Sequence, residues 1–130
     1  MRIENRANLL PSAVRLGETA GMLQLVWLIA TIAIFALAIM PAPLPALAHL
    51  DDSVLHTLAF MTLLILSALA WPRLSLWWLL AGLASFGALI ELAQGLPVIG
   101  RDANLTDWLI DVTAALAALA PVLLIRMAGR

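Results

Sequence analysis

Residues 52–71, DSVLHTLAFMTLLILSALAW, contain one acid, one histidine and no arginine or lysine, and they end immediately before Pro72. A helix needs about 20 mostly apolar residues to cross the hydrocarbon core of a bilayer. The apolar side chains follow one another continuously, whereas a strand of a membrane barrel would alternate between apolar and polar residues. This segment therefore predicts a transmembrane helix at about residues 54–71.

The composition of the whole chain indicates the same class of protein. Its 130 residues are 64% apolar and 12% charged, with a mean hydropathy of +1.04, whereas soluble domains are roughly 45–50% apolar and about 25% charged. These values exclude an ordinary soluble enzyme and a disordered chain. The absence of cysteine excludes disulfides and thiolate chemistry, and the net charge of -1 argues against a nucleic-acid partner.

Three further apolar segments lie at about residues 22–40, 76–95 and 107–127. Pro41 and Pro97 follow the first and second of these, as expected for residues that cannot continue a helix. We therefore predict an all-α fold, an integral membrane bundle of four transmembrane helices in one domain that covers residues 1–130. Pro121 predicts a bend in the last helix. Residues 1–21 are predicted to be a cytoplasmic tail, either solvated or folded as a short helix on the membrane surface.

The arginines predict the orientation of the bundle. If both termini are cytoplasmic, all but one of the seven arginines lie inside: Arg2, Arg6, Arg15, Arg73, Arg126 and Arg130. Only Arg101 then lies outside. Because cytoplasmic loops of membrane proteins carry an excess of arginine and lysine, we predict that the N-terminus and the C-terminus are both cytoplasmic.

The acidic residues have the opposite distribution. Of the eight acids, all but Glu4 and Glu18 lie at the predicted outer end of the bundle: Asp51, Asp52, Glu91, Asp102, Asp107 and Asp111. Polar residues three or four positions apart share a helix face, and the pairs of this kind are Asp52 with His56, Glu91 with Gln94, and Asp107 with Asp111. A carboxylate facing lipid would cost at least a few kcal/mol. The sequence therefore predicts that these faces meet in an extracytoplasmic polar pocket.

The charges in this predicted pocket do not balance. Asp52, Glu91, Asp107 and Asp111 supply up to four negative charges, against one positive charge from Arg101 and a second from His56 when it is protonated. Unscreened charges of this kind cannot all be buried. Proton uptake, a bound cation or the ammonium group of a ligand is expected to balance them.

Three segments around the pocket share the pattern of a known family. They are Asp52-Ser-Val-Leu-His56 with Ala59-Phe60, Gly87-Ala-Leu-Ile-Glu91-Leu-Ala-Gln94 with Pro97 and Arg101, and Asp107-Trp-Leu-Ile-Asp111. In this order they resemble the VanZ-like family of small multi-helix membrane proteins, over residues 52–115. The chain differs from the family pattern at Asp111, where asparagine is usual, and at Ala114, where glycine is usual.

The resemblance implies a bacterial protein with several passes through the inner (cytoplasmic) membrane. The namesake of the family is linked to teicoplanin resistance, so the resemblance also implies a role in the cell envelope or toward glycopeptide antibiotics. It implies no particular reaction.

We therefore expect a noncatalytic protein whose pocket binds an envelope lipid headgroup, a lipid-linked envelope intermediate or a glycopeptide-type ligand. The predicted pocket residues are Asp52, His56, Glu91, Gln94, Arg101, Asp107 and Asp111. Two alternatives stay open. One is an intramembrane enzyme that acts on a lipid-linked envelope substrate, with His56 as base and Glu91 as acid. The other is a structural partner subunit in which the polar groups hold helices together.

Cofactors and catalytic groups have no clear pattern in the sequence. No His-x-x-x-His or Glu-x-x-His spacing occurs, so we predict neither a metal site nor a cofactor. No nucleophile is identified, which favours the nonenzymatic hypothesis. Membrane lipids are the expected partners, and the sequence predicts no oligomeric state.

Overall fold

The computed structural model describes residues 12–42 and 44–128, and over these residues it is helical with no strand. The helices are α1 (Ser12–Ala38), α2 (Asp52–Ala70), α3 (Leu76–Gln94), α4 (Leu105–Ala117) and α5 (Leu119–Ala128). Arg2, Arg6 and Arg130, which contribute to the predicted orientation, lie outside the described residues, as do residues 1–11 of the predicted tail.

Helices α4 and α5 together form the predicted fourth span. They are separated by one residue, Ala118. Pro121 has no backbone N–H to donate to the carbonyl of residue 117, and its ring crowds the preceding turn. The ladder continues on both sides of the interruption, since the N–H of Ala118 donates to the Ala114 carbonyl at 3.1 Å and that of Val122 to the Ala118 carbonyl at 3.3 Å. The distortion predicted from Pro121 is thus a local break in one span.

Four helical segments are long and apolar enough to cross a membrane: Gly17–Ala38, Asp52–Ala70, Leu76–Gln94 and Leu105–Ala128. The predicted all-α fold with four helices long and apolar enough to span a membrane is confirmed, and this result suggests a membrane protein.

Helix α3 begins at Leu76, as predicted, but α1, α2 and α4 begin earlier than predicted. Helix α1 begins at Ser12, so residues 12–21 of the predicted tail are helical and continuous with the first span. No proline interrupts the chain between Pro11 and Pro41, and a helix can extend beyond the part that is apolar. Helices α2 and α4 begin two residues before their predicted starts, at Asp52 and Leu105. Hydropathy does not detect a polar first turn, which explains these differences.

Helix α2 is the centre of the bundle, because it contacts every other helix. The buried core joins α2, α3, α4 and α5 through Phe60, Leu63, Leu64, Ala68, Leu79, Leu83, Ile90, Ala114, Ala115, Ala118 and Val122. Helix α1 packs mainly on α2 and has no buried residue within its apolar window. The alanines of α4 provide a surface on which α2 can approach closely, as small residues do between membrane helices.

Polar side chains fix α1 to α2 at one end of the bundle. The indole N–H of Trp27 donates to Ser67 Oγ at 2.7 Å, and its ring meets Trp71 edge-on with a centroid distance of 5.1 Å. At the same end, Arg126 donates from both terminal nitrogens to the Leu74 carbonyl at 3.2 Å. The opposite end, which we call the site end, contains the C-termini of α1 and α3 and the N-termini of α2 and α4.

The alanine surface of α4 gives a test of the packing. Ala115 is 2% exposed, so Ala115→Leu inserts a larger side chain into a closed core and is expected to lower the free energy of unfolding by about 1–3 kcal/mol. Ala117, on the same helix, is exposed, and Ala117→Leu should change it by less than about 0.5 kcal/mol. Denaturant titration in detergent micelles measures both; equal effects would contradict this packing.

Candidate functional site

The centre of the site is a hydrogen bond between two helices. His56 lies one turn into α2 and is 7% exposed, and Asp111 lies in α4 and is 0% exposed. The distance between His56 Nδ1 and Asp111 Oδ1 is 2.8 Å. The polar faces predicted on α2 and α4 therefore meet, and the histidine contacts an acid that is 55 residues away in sequence.

Gly87 of α3 makes room for the Asp111 carboxylate. A Cβ atom at position 87 would lie 2.9 Å from Asp111 Oδ2, closer than real Cβ atoms come, and 3.3 Å from Trp108 Cδ1, which is tighter than most Cβ contacts. Trp108 itself donates from its indole N–H to the Ala84 carbonyl of α3 at 2.9 Å. Helices α3 and α4 therefore pack closely beside the buried Asp111. The second carboxylate oxygen of this residue, Oδ2, has no hydrogen bond among the described residues.

Asp52 and Arg101 lie on the outer side of His56. Arg101 Nη2 donates to Asp52 Oδ2 at 3.0 Å, and the same oxygen is 3.9 Å from His56 Nε2. The loop reaches this position through Gly100, whose φ of 68° lies in the left-handed region that favours glycine. The structure therefore places Arg101 against the acid that begins α2.

Glu91 and Gln94 are buried, but they hydrogen bond to backbone groups at helix ends. Glu91 Oε2 accepts from the backbone N–H of Asn104, the N-cap residue of α4, at 2.6 Å. Gln94 Nε2 donates to the carbonyl of Ala38 at the end of α1 at 3.0 Å. These bonds satisfy backbone groups that a helix end leaves without an intrahelical partner. Neither residue lines the cavity beside His56.

Asp107 completes the group around His56. It is half-buried in the first turn of α4. One oxygen of Asp107, one oxygen of Asp52 and one ring nitrogen of His56 all lie within 4.8 Å of one another. By contrast, Asp51, Asp102 and His49 are exposed.

A partly open cavity of about 130 Å³ lies against this group. Its polar residues are Asp52, His56 and Arg101, and its apolar wall consists of Ile34, Leu37, Ala38, Leu44, Leu47, Leu55, Ala59, Phe60 and Ile90. The contributions of α1 and of the loop that carries Leu44 and Leu47 were not predicted from the sequence. The loop sequence, PAPLPALAHL at residues 41–50, is mostly apolar. This apolar character is the feature of the sequence that could have indicated a role of the loop in the cavity wall.

Comparison with known proteins gives no relative from which a role can be transferred. No protein-family model matches the chain, and neither curated proteins nor solved structures give a significant match. The function is therefore inferred from the geometry of the site.

The close contact at Gly87 predicts a position-specific effect of alanine. Gly87→Ala should displace Asp111 or Trp108 and lower the free energy of unfolding by about 1–3 kcal/mol. Gly82, on the same helix, has nothing within 4 Å of the position of a Cβ atom. Gly82→Ala should therefore be neutral or stabilising by up to about 1 kcal/mol through helix propensity. Denaturant titration of both variants in micelles checks this, and a stabilising Gly87→Ala would contradict the described contact.

Proposed function

We propose that this chain is a VanZ-like multi-pass protein of the bacterial inner membrane that binds an amphiphilic envelope ligand without catalysis. The apolar part of the ligand occupies the cavity, and its polar group contacts Asp52, His56 and Arg101. The observation that carries the proposal is that one cavity joins an apolar wall to a polar end. Ligand pockets commonly combine apolar walls with a few convergent polar groups.

The contacts between the three motif segments support the family assignment. His56 of the first segment bonds to Asp111 of the third, at 2.8 Å. Arg101, which follows the second segment, bonds to Asp52 of the first, at 3.0 Å. The three segments that carry the resemblance are thus in contact in space, through position 111, where this chain differs from the pattern, as well as through Asp52, His56 and Arg101.

The cavity volume favours a lipid over a whole glycopeptide. A cavity of about 150 Å³ holds a molecule of the size of benzene, and the cavity here has about 130 Å³. It therefore takes part of one acyl or isoprenoid chain, or a compact headgroup. We propose an envelope lipid or a lipid-linked envelope intermediate, with the insertion of a single glycopeptide group as the competing outcome.

The proposal includes an orientation with both termini in the cytoplasm and the site end on the extracytoplasmic side. Arg73 and Arg126 support it, because both lie at the end opposite the site, where Arg126 binds the Leu74 carbonyl. An excess of arginine marks the cytoplasmic side of a membrane protein.

Single cysteines test this orientation, since the chain has none of its own. Ala48→Cys introduces a thiol in the loop between α1 and α2, and Leu74→Cys introduces one in the loop between α2 and α3; both positions are exposed. In intact spheroplasts, a membrane-impermeant thiol reagent should label position 48, and it should label position 74 only after permeabilisation. The reverse pattern would contradict the orientation.

Filling the cavity tests ligand binding. A specifically bound lipid should stay with the unchanged chain at constant stoichiometry through extensive detergent washing. Ala38 lines the cavity, so the larger side chain of Ala38→Phe should fill the cavity, and this lipid should be lost. Ala36, two residues earlier on α1, is exposed outside the cavity, so Ala36→Phe should retain this lipid. Organic extraction and mass spectrometry of both purified variants measure the retained species. If both variants retain the same lipids as the unchanged chain, the cavity is not the binding site.

An intramembrane enzyme is the second candidate, and the His56–Asp111 pair favours it. A carboxylate that holds one nitrogen of an imidazole orients the other as a general base. The proposed acid, Glu91, already accepts a hydrogen bond from Asn104. Conversion of the retained lipid by the unchanged chain, but not by His56→Gln of equal thermal stability, would favour the enzyme over the binding protein.

A further inference from the structure

We infer that Asp52, His56 and Asp107 form a binding site for one divalent transition-metal ion at the polar end of the cavity. The inference rests on the same site as the proposed function and deepens it, because it specifies the group that contacts the polar part of the ligand. The sequence predicts no metal site, because the spacing patterns considered there detect only ligands that lie on one helix. Here the ligand atoms come from α2 and α4.

The distances suit a single ion. Metals bound by imidazole and carboxylate lie about 2.0–2.2 Å from each ligand atom, so that ligand atoms around one ion are roughly 3 to 4.2 Å apart. The distance between Asp52 Oδ2 and His56 Nε2 is 3.9 Å. One oxygen of Asp52, one oxygen of Asp107 and one ring nitrogen of His56 lie within 4.8 Å of one another. Small rotations of the carboxylates complete the geometry, and Asp52 is exposed enough to rotate.

Asp111 supplies the support that a metal-binding histidine usually has. Histidines that bind metals typically donate their other ring N–H to a carboxylate, which fixes the tautomer and the ring orientation. An ionised Asp111 can only accept, so His56 Nδ1 donates to it at 2.8 Å. In the neutral ring, the lone pair is then on Nε2, the nitrogen on the side of Asp52.

The free nitrogen of His56 is the second observation that points to a ligand. The residue is 7% exposed, yet no hydrogen bond to Nε2 occurs among residues 12–42 and 44–128, and its closest carboxylate oxygen is 3.9 Å away. His56 lines the cavity together with Asp52, and Nε2 is the ring nitrogen that no hydrogen bond occupies. An ion between Nε2 and the two carboxylates can therefore bind from the cavity side.

The charge and the ligand chemistry select the kind of ion. When ionised, the carboxylates of Asp52, Asp107 and Asp111 carry three negative charges, which Arg101, bonded to Asp52, and one divalent cation balance. One imidazole and two carboxylates suit Zn²⁺ or Mn²⁺ better than Mg²⁺ or Ca²⁺, which prefer oxygen ligands. Because Asp52 and His56 line the cavity, an open coordination position would face it and accept an oxygen of the polar group of the lipid.

Metal loading of the full chain in detergent micelles tests this inference. The protein is stripped with a chelator, reloaded with Zn²⁺ or Mn²⁺, and desalted, and bound metal is measured by elemental mass spectrometry and titration calorimetry. We expect about one ion per chain, as for a site with three protein ligands and one open position. His56→Gln should reduce bound metal to background. Asp111→Asn should keep the site but weaken its affinity by about 10–100-fold, as losses of supporting carboxylates do.

The chain contains a matched control for each ligand. These controls have the same residue types as the ligands, lie in the loops at the site end and are exposed: His49, Asp51 and Asp102. The variants His49→Gln, Asp51→Asn and Asp102→Asn should therefore bind metal like the unchanged chain. Asp107→Asn tests the same site if His56→Gln fails to fold, because Asp107 is only half-buried. Equal metal binding by His49→Gln and His56→Gln, or no retained metal in the unchanged chain, would overturn the inference.

Failure of this inference can be distinguished from failure of the proposed function. Lipid retention is compared between Ala38→Phe and Ala36→Phe after chelator treatment, when no metal is present. If the unchanged chain binds no metal but the two variants still differ in retained lipid, the metal site is excluded and lipid binding stands. If metal binds and depends on His56 while the variants retain equal lipid, the metal site stands and the cavity is not a lipid site.

Discussion

The buried hydrogen bond between His56 and Asp111 is the interaction on which the arrangement of the helices depends. A carboxylate that is 0% exposed would cost several kcal/mol inside an apolar bundle without a partner. The bond of 2.8 Å therefore fixes the position of α4 along α2, and alanines at positions 114 and 115 permit the close approach. Gly87 extends the constraint to α3, since only a residue without a Cβ atom leaves space for Asp111 Oδ2. One polar pair thus sets the relative position of three helices.

The polar residues of the site end fall into two groups according to what their side chains bind. Glu91 and Gln94 complete hydrogen bonds to the backbone, at Asn104 and Ala38. Such bonds satisfy a helix end from within the protein, as is required wherever lipid and not water surrounds it. Around His56, in contrast, carboxylate oxygens of Asp52 and Asp107 lie near the ring, and Nε2 has no hydrogen bond among the described residues. The first group stabilises the fold, and the second group has polar atoms that are free to bind a ligand.

Much of this organisation could be predicted from the sequence, and the part that could not has a physical reason. Hydropathy predicts the four spans because the bilayer fixes their length, but it misses polar first turns such as that of α2 at Asp52. Spacing predicts that Asp52 and His56 share a face, but the period of a helix does not state which neighbour that face meets. The partner of His56 is Asp111, on another helix. For the same reason, spacing pairs Glu91 with Gln94 on one face of α3, but it does not state that Glu91 accepts a hydrogen bond from the backbone N–H of Asn104.

The identity of residue 111 bears on why the site holds an acid. An asparagine, which is usual at this position in the VanZ-like pattern, would also accept a hydrogen bond from His56 Nδ1, so the register of α2 and α4 does not require a charge. The carboxylate has a larger desolvation cost than an amide, and this cost is avoided by a proton on the carboxyl group or offset by positive charge nearby. Arg101 donates to Asp52 at 3.0 Å and is already balanced there. If Asp111 is ionised, the compensating charge is on the imidazole, either as a proton or as the ion that we propose at Nε2, and the carboxylates of Asp52 and Asp107 stabilise either of them.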